Sequence, residues 1–415
     1  MTVAEAAAAA GCPAHLGDAF GNMPYPVYKE LQEAGPVSPV ILRDGSEAFL
    51  ITRYDDVRAC YGDLRLSSSL DDAPKPRGAG SLAAPPVGGL VLRRDEVSGH
   101  MMINQDPPNH TRLRKLVVPS FSAKRVNAME PHILRIAKEL LDGIDGSTGP
   151  VELIEAYAKP LPVMVQSQLL GVSPDKHDAF THGMDELTGG KNVEAAQRGL
   201  DLIKELLAEQ IERKRLQPEE DLLTTLVQVA EEEGRIEEIE LLAAAIQVML
   251  AGYFGIQSMI GNCVYWLLKF PEKKAELLAD PSLMPAAMDE IFRFDGPQQP
   301  GSNRYATEDI EVGGGVIPKG SLVILSVSAA NRDPRKFPDP DVLDFERENA
   351  AEHIAFGSGI HYCVGSRLAL KVVGLATLAL LQAFPQMRLA MPEEELDWEL
   401  RTPFRGLSSL PVLLQ

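Results

Sequence analysis

The sequence has few of the features that mark several protein classes. Among its 415 residues it has four cysteines, Cys12, Cys60, Cys263 and Cys363. They are far apart and form no CxxC pair, which argues against a structural zinc site or a disulfide framework and favours a reducing compartment. Its 40 Lys and Arg residues are outnumbered by 59 Asp and Glu residues, giving a net charge of −19. This balance argues against nucleic acid or an anionic membrane as the main partner.

Targeting signals and long apolar runs are also missing. The first residues, MTVAEAAAAAGC, have no basic region and include Glu5, unlike a secretory signal. The most apolar stretch, from Leu241 to Ile256, contains Gln247 and is shorter than the ~20 residues of a membrane span. Hydrophobic residues make up 45% of the chain, enough for a large globular core. We expect a cytoplasmic monomer without a membrane anchor.

Secondary-structure signals predict one domain over residues 1–415, mostly α with a minor antiparallel β region. A short helix at 25–34 precedes a β-rich part at about 36–52, a hairpin around Asp44-Gly45. Residues 62–100 are rich in Pro and Gly, and a loop of this length is usually functional or mobile.

Apolar residues at three- and four-residue spacing predict a helical body over about 108–295. Its helices are expected at 130–144, 154–170, 192–214, 219–232, 236–269 and 283–294. The segment 236–269 is apolar on all sides, which predicts a buried central helix that ends at Pro271. Alternation over 303–325 predicts short strands, and a last apolar helix is expected at 364–383.

The residues around Cys363 carry the clearest chemical signal. The segment Phe356–Gly365 reads FGSGIHYCVG, a cysteine in a glycine-rich loop directly before a predicted helix. A thiolate there is stabilised by the helix dipole and by free backbone N–H groups. Gly357, Gly359 and Gly365 allow tight turns and close approach to a flat ligand. A buried structural cysteine on a turn is the alternative.

This segment resembles the haem-thiolate loop of the cytochrome P450 family, F-x-x-G-x-[HR]-x-C-x-G. It matches at Phe356, Gly359, His361, Cys363 and Gly365. The resemblance implies a cytochrome P450-like fold, haem b (iron-protoporphyrin IX) as cofactor, and Cys363 as the ligand of its iron. A thiolate ligand raises electron density at the iron and favours O–O cleavage.

A second motif extends the resemblance toward the N-terminus. The segment Asp106–Arg114, DPPNHTRLR, resembles the approach to the family's haem-flanking helix. The resemblance implies that His110, Arg114, Arg304 and His361 bind the haem propionates, since guanidinium groups pair well with carboxylates. An ordinary strand-end charge for Arg304 and a loop hydrogen bond for His361 are the alternatives.

A third motif is the Glu290-Ile-Phe-Arg293 segment, which matches the family's E-x-x-R. Residues three apart share a helix face and can pair, although most such pairs are exposed and contribute little. The resemblance implies a buried charge network of Glu290, Arg293 and Arg347 that supports the haem loop.

The central helix departs from the family pattern. The family carries A-G-x-[DE]-T, whereas the segment from Ala251 reads AGYFG, with Phe254 for the acid and Gly255 for the alcohol. Neither residue can position water or relay protons. The substrate could supply the polar group, Gln257 or Ser258 could substitute if the helix is bulged, peroxide could be the oxidant, or oxygen activation could be lost. We favour proton delivery assisted by the substrate.

By the same resemblance, the distal pocket is expected to draw on several segments. It would include the loop 80–102, the segment 297–300 and the residues Gln247, Ala251, Phe254, Gly255, Gln298, Gln299 and Phe404. Two glutamines in this pocket suggest a substrate with amide, hydroxyl or carbonyl groups, since buried amides need partners. Both could instead point into a strand network.

The leading hypothesis is a monooxygenase or oxidase that uses dioxygen on a small organic substrate, in a tailoring step of specialised metabolism. By resemblance to the soluble bacterial type, electrons would come from a separate ferredoxin and ferredoxin reductase. A basic patch of Arg112, Lys115, Arg367 and Lys371 could receive the ferredoxin, or these residues could simply be solvated helix charges. Hydroxylation and oxidative C–C, C–N or C–O coupling stay open. The alternatives are a peroxide-dependent peroxygenase, which the lack of an arginine in the central helix disfavours, and a non-catalytic haem sensor.

Overall fold

The structure is a computed structural model that describes most of the chain. The described residues are 14–16, 23–42, 45–72, 92, 95–147, 149–189, 192–233, 236–401 and 404–415. Asp44 of the predicted hairpin turn and positions 73–91 and 93–94 of the Pro- and Gly-rich segment lie outside them.

Helices make up most of the described chain. They are α1 (Tyr25–Ala34), α2 (Tyr54–Gly62), α3 (Glu96–Gly99), α4 (Asn109–Val117), α5 (Ala123–Ala128), α6 (Glu130–Asp142), α7 (Pro160–Leu170), α8 (His177–Gly189), α9 (Val193–Leu216), α10 (Leu222–Glu233), α11 (Glu238–Lys269), α12 (Pro271–Ala279), α13 (Met284–Asp295), α14 (Val327–Ala330) and α15 (Ser366–Ala383). A single π-helical turn, Ile154–Ala158, precedes α7. The helices predicted from apolar spacing are confirmed, with ends that differ by a few residues.

The structure differs from the sequence prediction in the end of the central helix and in the presence of an additional helix. The central helix α11 ends at Lys269, one residue before the non-helical Phe270, and Pro271 begins α12 instead of only stopping α11. Proline suits the first helical position because it has no N–H to leave unpaired there. The helix α8 was not predicted, because its segment mixes polar and apolar residues without a clear period.

Short strands form a mainly antiparallel β region. The strands are β1 (Ala14–His15), β2 (Val37–Ile41), β3 (Glu47–Ile51), β4 (Leu66–Ser67), β5 (Val151–Glu152), β6 (Ser302–Ala306), β7 (Ile310–Val312), β8 (Gly315–Ile317), β9 (Leu322–Leu325), β10 (Arg388–Leu389), β11 (Trp398–Arg401), β12 (Phe404–Leu407) and β13 (Pro411–Leu413). The largest sheet has the order β1-β2-β3-β9-β6-β4. The predicted hairpin is the antiparallel pair β2–β3, whereas β1–β2 and β3–β9 pair in parallel.

The central helix α11 organises the core. Its C-terminal half, with Met259, Cys263 and Leu267 fully buried, packs in one apolar cluster with α6, α7, α13 and α15. Its N-terminal half packs in a second cluster with α8, α9 and α10. By length and composition alone α11 and α15 could cross a membrane, but half of each apolar window is buried in the structure. These two helices are therefore core helices of the fold.

Candidate functional site

The loop that contains Cys363 leads directly into α15. The Cys363 N–H donates to the Phe356 carbonyl over 3.0 Å, and the Ser366 N–H donates back to the Cys363 carbonyl over 3.4 Å. The cysteine is partly exposed and lines a large cavity. Burial raises the pKa of its thiol. A hydrogen bond from the Gly365 N–H and the charge of Arg114 lower this pKa and so oppose the effect of burial. Both opposing groups favour a thiolate, so the site suits a cation that replaces the thiol proton.

Two glycines hold this loop against α2. Gly357 and Gly359 have φ values of 72° and 66°, a region that strains other residues. A Cβ added to Gly359 would lie 2.5 Å from the Tyr61 carbonyl oxygen. Gly365 differs, because its φ is −91° and an added Cβ would meet Phe121 at an ordinary 3.6 Å.

The four residues expected to bind propionates include a buried cluster with unused donors. The rings of His110 and His361 lie 4.2 Å apart. His110 is buried, and neither of its ring nitrogens has a hydrogen-bond partner, nor has Nε2 of His361, among the described residues. Arg304 is buried and donates to the Asn303 carbonyl over 2.7 Å, with its guanidinium over the Tyr61 ring. Arg114 donates to the Tyr362 carbonyl over 2.6 Å.

Positive groups dominate the electrostatics of this cluster, with the carboxylate of Asp106 acting against them. Burial lowers the pKa of His361 to about 3, helped by Arg304, His110 and Arg114. Burial, and then the charge of Arg114, lowers the pKa of His110 as well. Burial also lowers the pKa of Arg304, against the opposing charges of Tyr61 and Asp106. Unmatched buried cations are costly unless a ligand pairs with them, so this cluster suits a carboxylate-bearing ligand.

A cavity of about 540 Å³ lies between the cysteine loop and α11. Its walls include Cys363, the propionate-binding candidates Arg114, Arg304 and His361, and the segment 98–104. Its polar parts include Glu240, which forms a bidentate ion pair with Arg112. The cavity is therefore mostly apolar with a few charged and polar groups at its edge, as ligand sites usually are.

Most of the expected pocket residues line this cavity. They are Gln247, Ala251, Gly255, Gln298 and Phe404, together with the described part of the predicted loop at 92 and 98–102. Positions 80–91 and 93–94 of that loop lie outside the described residues. Phe356, Gly357 and Gly365 also line the cavity.

Phe254 and Gln299 are not among the lining residues. Phe254 stacks on Phe404 with ring centroids 6.4 Å apart and meets Tyr253 edge-on at 4.8 Å. Ala251 and Gly255 are four residues apart and share a face of α11, whereas position 254 lies on the next face. Gln299 is buried and accepts a 2.9 Å hydrogen bond from the Tyr28 hydroxyl, so it belongs to the strand network.

Gln257 and Ser258 do not line the cavity either. The helix α11 runs unbroken from Glu238 to Lys269 with no bulge that would turn them inward. Gln257 is buried, and Ser258 packs against Gly406 of β12. The substitution by these side chains that the sequence left open therefore has no support in the geometry.

Gln166 is a cavity residue that the sequence reasoning missed. It lies on α7, is 3% exposed, and lines the cavity beside Gly252. The signal was present in the sequence as a polar residue on a strongly apolar helix, PLPVMVQSQLL. Nothing in the sequence said which partner that helix faces.

The predicted charge network is formed as expected, next to the loop. Arg293 binds both carboxylate oxygens of Glu290, over 2.7 and 2.8 Å, and both side chains are fully buried. Arg347 adds a 3.1 Å contact to Glu290, and the Asp344 N–H donates to it over 3.0 Å. Arg293 also donates to the carbonyls of residues 331, 340 and 342. The network thus connects α13 to the chain that leads to the cysteine loop.

Comparison with known proteins gives consistent results. The family model for Cytochrome P450 matches residues 177–403. Cytochrome P450 107B1 of Saccharopolyspora erythraea is 38% identical over 398 residues, 95% of this chain and 96% of that protein. The 6-deoxyerythronolide B hydroxylase of the same organism is 37% identical over 403 residues, 96% and 97% of the two chains. The solved structure of the tirandamycin C-bound P450 monooxygenase TamI has a TM-score of 0.87 at 35% identity, covering 97% of this chain and 100% of that one.

Proposed function

The chain belongs to the cytochrome P450 family, and on that premise we propose that it is a tailoring monooxygenase that oxidises an organic molecule of specialised metabolism. Cys363 would be the ligand of the haem iron. The observation that carries this proposal is the Cys363 thiol in the wall of a cavity of about 540 Å³ that α11 also lines.

Haem is the cofactor of this family, and the described residues fit it. Among the described residues, both buried ring nitrogens of His110 are unpaired, and the buried Arg304 donates to the Asn303 carbonyl. Such groups can receive the two propionates. Cys363 would coordinate the iron, while Arg114 and the Gly365 N–H would stabilise its negative charge. When bound, haem supplies the centre at which dioxygen is activated.

The other residues of the site bind the substrate and exclude water. Ala251, Gly255 and Phe404 offer apolar surface in the cavity, and Gln247 and Gln298 offer amides near its edge. Oε1 of Gln247 accepts from the Ile103 N–H over 3.4 Å, and Nε2 of Gln298 donates to the Ser302 hydroxyl over 3.0 Å. A substrate with apolar bulk and a few hydroxyl, carbonyl or amide groups matches this lining.

Two relatives support the reaction class. One is named a hydroxylase of 6-deoxyerythronolide B, and another is a monooxygenase with bound tirandamycin C. By analogy we propose hydroxylation of a bulky specialised metabolite as the main reaction. Oxidative coupling is the alternative outcome, and product analysis by mass spectrometry would distinguish them by the gain of one oxygen atom or the loss of two hydrogens.

The decisive test of the proposal uses Cys363→Ala. The reduced carbon monoxide complex of the wild-type protein should show the strongly red-shifted Soret band of thiolate ligation, and the variant should lack it. Cys60→Ala is the matched control. Cys60 lies on α2, is buried in an apolar cluster and does not line the cavity. A wild-type protein that binds haem without this band would disprove the assignment of Cys363.

We propose that protons reach the reaction with the help of the substrate. Position 255 has no side chain, and an added Cβ there would meet Phe404 at an ordinary 3.5 Å. Gly255→Thr should therefore be accommodated and supply the missing hydroxyl. With a substrate that lacks polar groups, the fraction of NADPH that ends in product should rise several-fold. An unchanged fraction would count against this step.

Electrons are proposed to come from a separate ferredoxin and its reductase. In the predicted basic patch, Arg112 pairs with Glu240 and Lys371 pairs with Glu130, while Lys115 and Arg367 are exposed. These two remain available to steer an acidic ferredoxin. Lys115→Glu and Arg367→Glu should slow reduction at low salt and have little effect at high salt, whereas peroxide-driven turnover should be unaffected.

The same comparison addresses the alternatives. Turnover with ferredoxin and NADPH supports a monooxygenase, and turnover with peroxide alone supports a peroxygenase. A haem sensor would have a closed distal side and show no turnover with either oxidant, whereas relatives of this chain are named as hydroxylases and monooxygenases. We also propose that the protein acts in the cytoplasm as a monomer and a single domain over residues 1–415.

A further inference from the structure

The face of α11 that lines the cavity has no polar side chain between Ala251 and Gly255. Gly255 has no side chain, and Phe254 packs on Phe404 outside the lining. The turn that follows contributes neither Gln257 nor Ser258 to the cavity. A polar group at this position must therefore come from another element.

Gln166 on α7 supplies such a group. The helices α7 and α11 pack closely, and the Gln166 carboxamide lies in a notch that exists because residue 252 is glycine. A Cβ at position 252 would collide with its Nε2, Cδ and Cγ atoms. Both Gln166 and Gly252 line the cavity. The amide is thus held beside α11, three residues before Gly255.

The Gln166 side chain is only 3% exposed and lines the cavity, and no described residue forms a hydrogen bond with its carboxamide. Gln32, equally buried, shows the usual situation: its Nε2 donates to the carbonyls of Thr52 and Ala329, over 2.9 and 2.8 Å. Buried amides are nearly always paired. Because Gln166 borders the cavity, a molecule bound there is within reach of its carboxamide.

We propose that Gln166 is a positioning residue whose carboxamide holds a hydroxyl-bearing molecule, water or substrate, against the Gly252–Gly255 face of α11. The amide suits this task because it carries both a donor and an acceptor, so it can bind a hydroxyl and orient its proton. The side chain is neutral, so it acts by orientation and does not itself exchange a proton. This inference rests on the proposed function and deepens it.

The test uses haem-loaded protein whose reduced carbon monoxide band has first been verified, so that a failure of the proposed function shows at that step. Gln166→Leu removes the amide with little change of volume. The matched control is Gln168→Leu, the same substitution two residues on, where the side chain is exposed. The assay measures hydrogen peroxide released per NADPH with a plant-type ferredoxin and its reductase.

We expect Gln166→Leu to raise the hydrogen peroxide released per NADPH. The fraction of NADPH electrons that does not end in peroxide should fall roughly tenfold, the effect of losing one oriented hydrogen bond. The carbon monoxide band and the thermal midpoint should stay close to those of Gln168→Leu. A change seen without substrate identifies water as the partner. A change seen only with a hydroxylated substrate, and not with its deoxy analogue, identifies the substrate hydroxyl.

Two further variants keep the test decisive if Gln166→Leu folds poorly. Gly252→Ala places a Cβ where the Gln166 amide lies. It should displace the amide and raise the peroxide yield as Gln166→Leu does. Gln166→Glu restores an acceptor of the same shape but adds a group whose burial raises its pKa, so the peroxide yield should gain a pH dependence that the wild type lacks.

The contrary results are equally clear. An unchanged peroxide yield in both Gln166→Leu and Gly252→Ala would overturn the proposal. So would a crystal structure of the haem-loaded protein in which the Gln166 amide bonds only to protein atoms, with no water or substrate oxygen within hydrogen-bond distance.

Discussion

At the scale of single residues, buried charges occur in two different environments, one with an ion-pair partner and one without a carboxylate contact among the described residues. Glu290 and Arg293 are fully buried and neutralise each other through two hydrogen bonds. Arg304 is nearly as buried, but its guanidinium lies over the Tyr61 ring and donates to the Asn303 carbonyl. The first arrangement is complete within the protein and supports structure. In the proposed function a ligand carboxylate would complete the second, and this difference would separate a structural charge from a binding charge.

The charge network gives a stability prediction. Arg293→Met keeps much of the volume but leaves the buried Glu290 with Arg347 and one N–H, so we expect a loss of about 3–5 kcal/mol in the free energy of unfolding. Urea denaturation of the haem-loaded protein measures it. Arg135→Met, which breaks the exposed 3.2 Å pair with Glu139, is the control and should cost below about 0.5 kcal/mol. Equal losses in the two variants would contradict the structural role of the network.

The buried histidine gives a prediction of pH dependence. Burial, and then Arg114 and Arg304, lowers the pKa of His110 against the opposing charge of Asp106. In the haem-free protein, stability from this group is therefore full above the unfolded pKa of about 6.5 and falls as the pH drops below it. His110→Gln should reduce this slope, by up to about 1.4 kcal/mol per pH unit.

Urea denaturation of haem-free protein between pH 7 and pH 5 measures the slope. The propionates of bound haem would favour the protonated histidine, so the haem-loaded protein should show a smaller contribution from this group. Parallel curves for wild type and His110→Gln would contradict the prediction.

At the scale of elements, glycines set how closely segments approach. A Cβ on Gly199 of α9 would lie 2.5 Å from the Gly183 carbonyl oxygen of α8, so these two helices meet at their backbones. The loop glycine Gly359 plays the same part between the cysteine loop and α2. In each case one missing side chain fixes the relative position of two elements, and the cysteine loop depends on such a contact.

We predict that Gly359→Ala destabilises the loop more than conformational strain alone would. Gly45 has a similar φ of 76° with open space around it, so Gly45→Ala measures the strain, about 1–2 kcal/mol. Gly359→Ala adds a clash with the Tyr61 carbonyl and should cost roughly 1–3 kcal/mol more. Unfolding in urea and the rate of haem loss to an acceptor protein report the difference. Equal costs would mean that the loop can move away from α2.

At the scale of the whole molecule, the cavity joins parts of the chain that are distant in sequence. Its lining combines the segment after α3, the helices α4, α7 and α11, strand β6, the cysteine loop and Phe404. The apolar cluster around α6, α7 and the C-terminal half of α11 is made of buried side chains from distant parts of the chain. On the proposed function, bound haem would therefore add most to the stability of the segments that line the cavity and least to the apolar body.

Removal of haem should accordingly act locally and globally. Ligand binding to the folded state alone adds about 4 kcal/mol when the free ligand exceeds its Kd a thousandfold, so the haem-free protein should unfold at a clearly lower temperature. Hydrogen exchange should increase most in residues 98–121 and 353–366, and least in α6 and the C-terminal half of α11. A uniform increase over the whole chain would contradict this division.

The parts that could be predicted from sequence are those that depend on neighbours along the chain. The helix periods of α6, α9 and α11, the β2–β3 hairpin and the spacing of the Cys363 loop are local patterns, and the structure has them. The pairing of Glu290 with Arg293 follows from their three-residue spacing. Family membership, which rests on the same local motifs, was also predicted correctly.

Only the tertiary structure decided which side chains meet across elements. It turned Phe254 toward Phe404 and Gln299 toward Tyr28, and it brought Gln166 of α7 into the notch at Gly252. A helix period states which residues share a face, but the partner of that face depends on how all the helices pack around α11. The sequence by itself thus determined the elements and the haem motif, whereas close packing between distant segments decided the shape and polarity of the cavity.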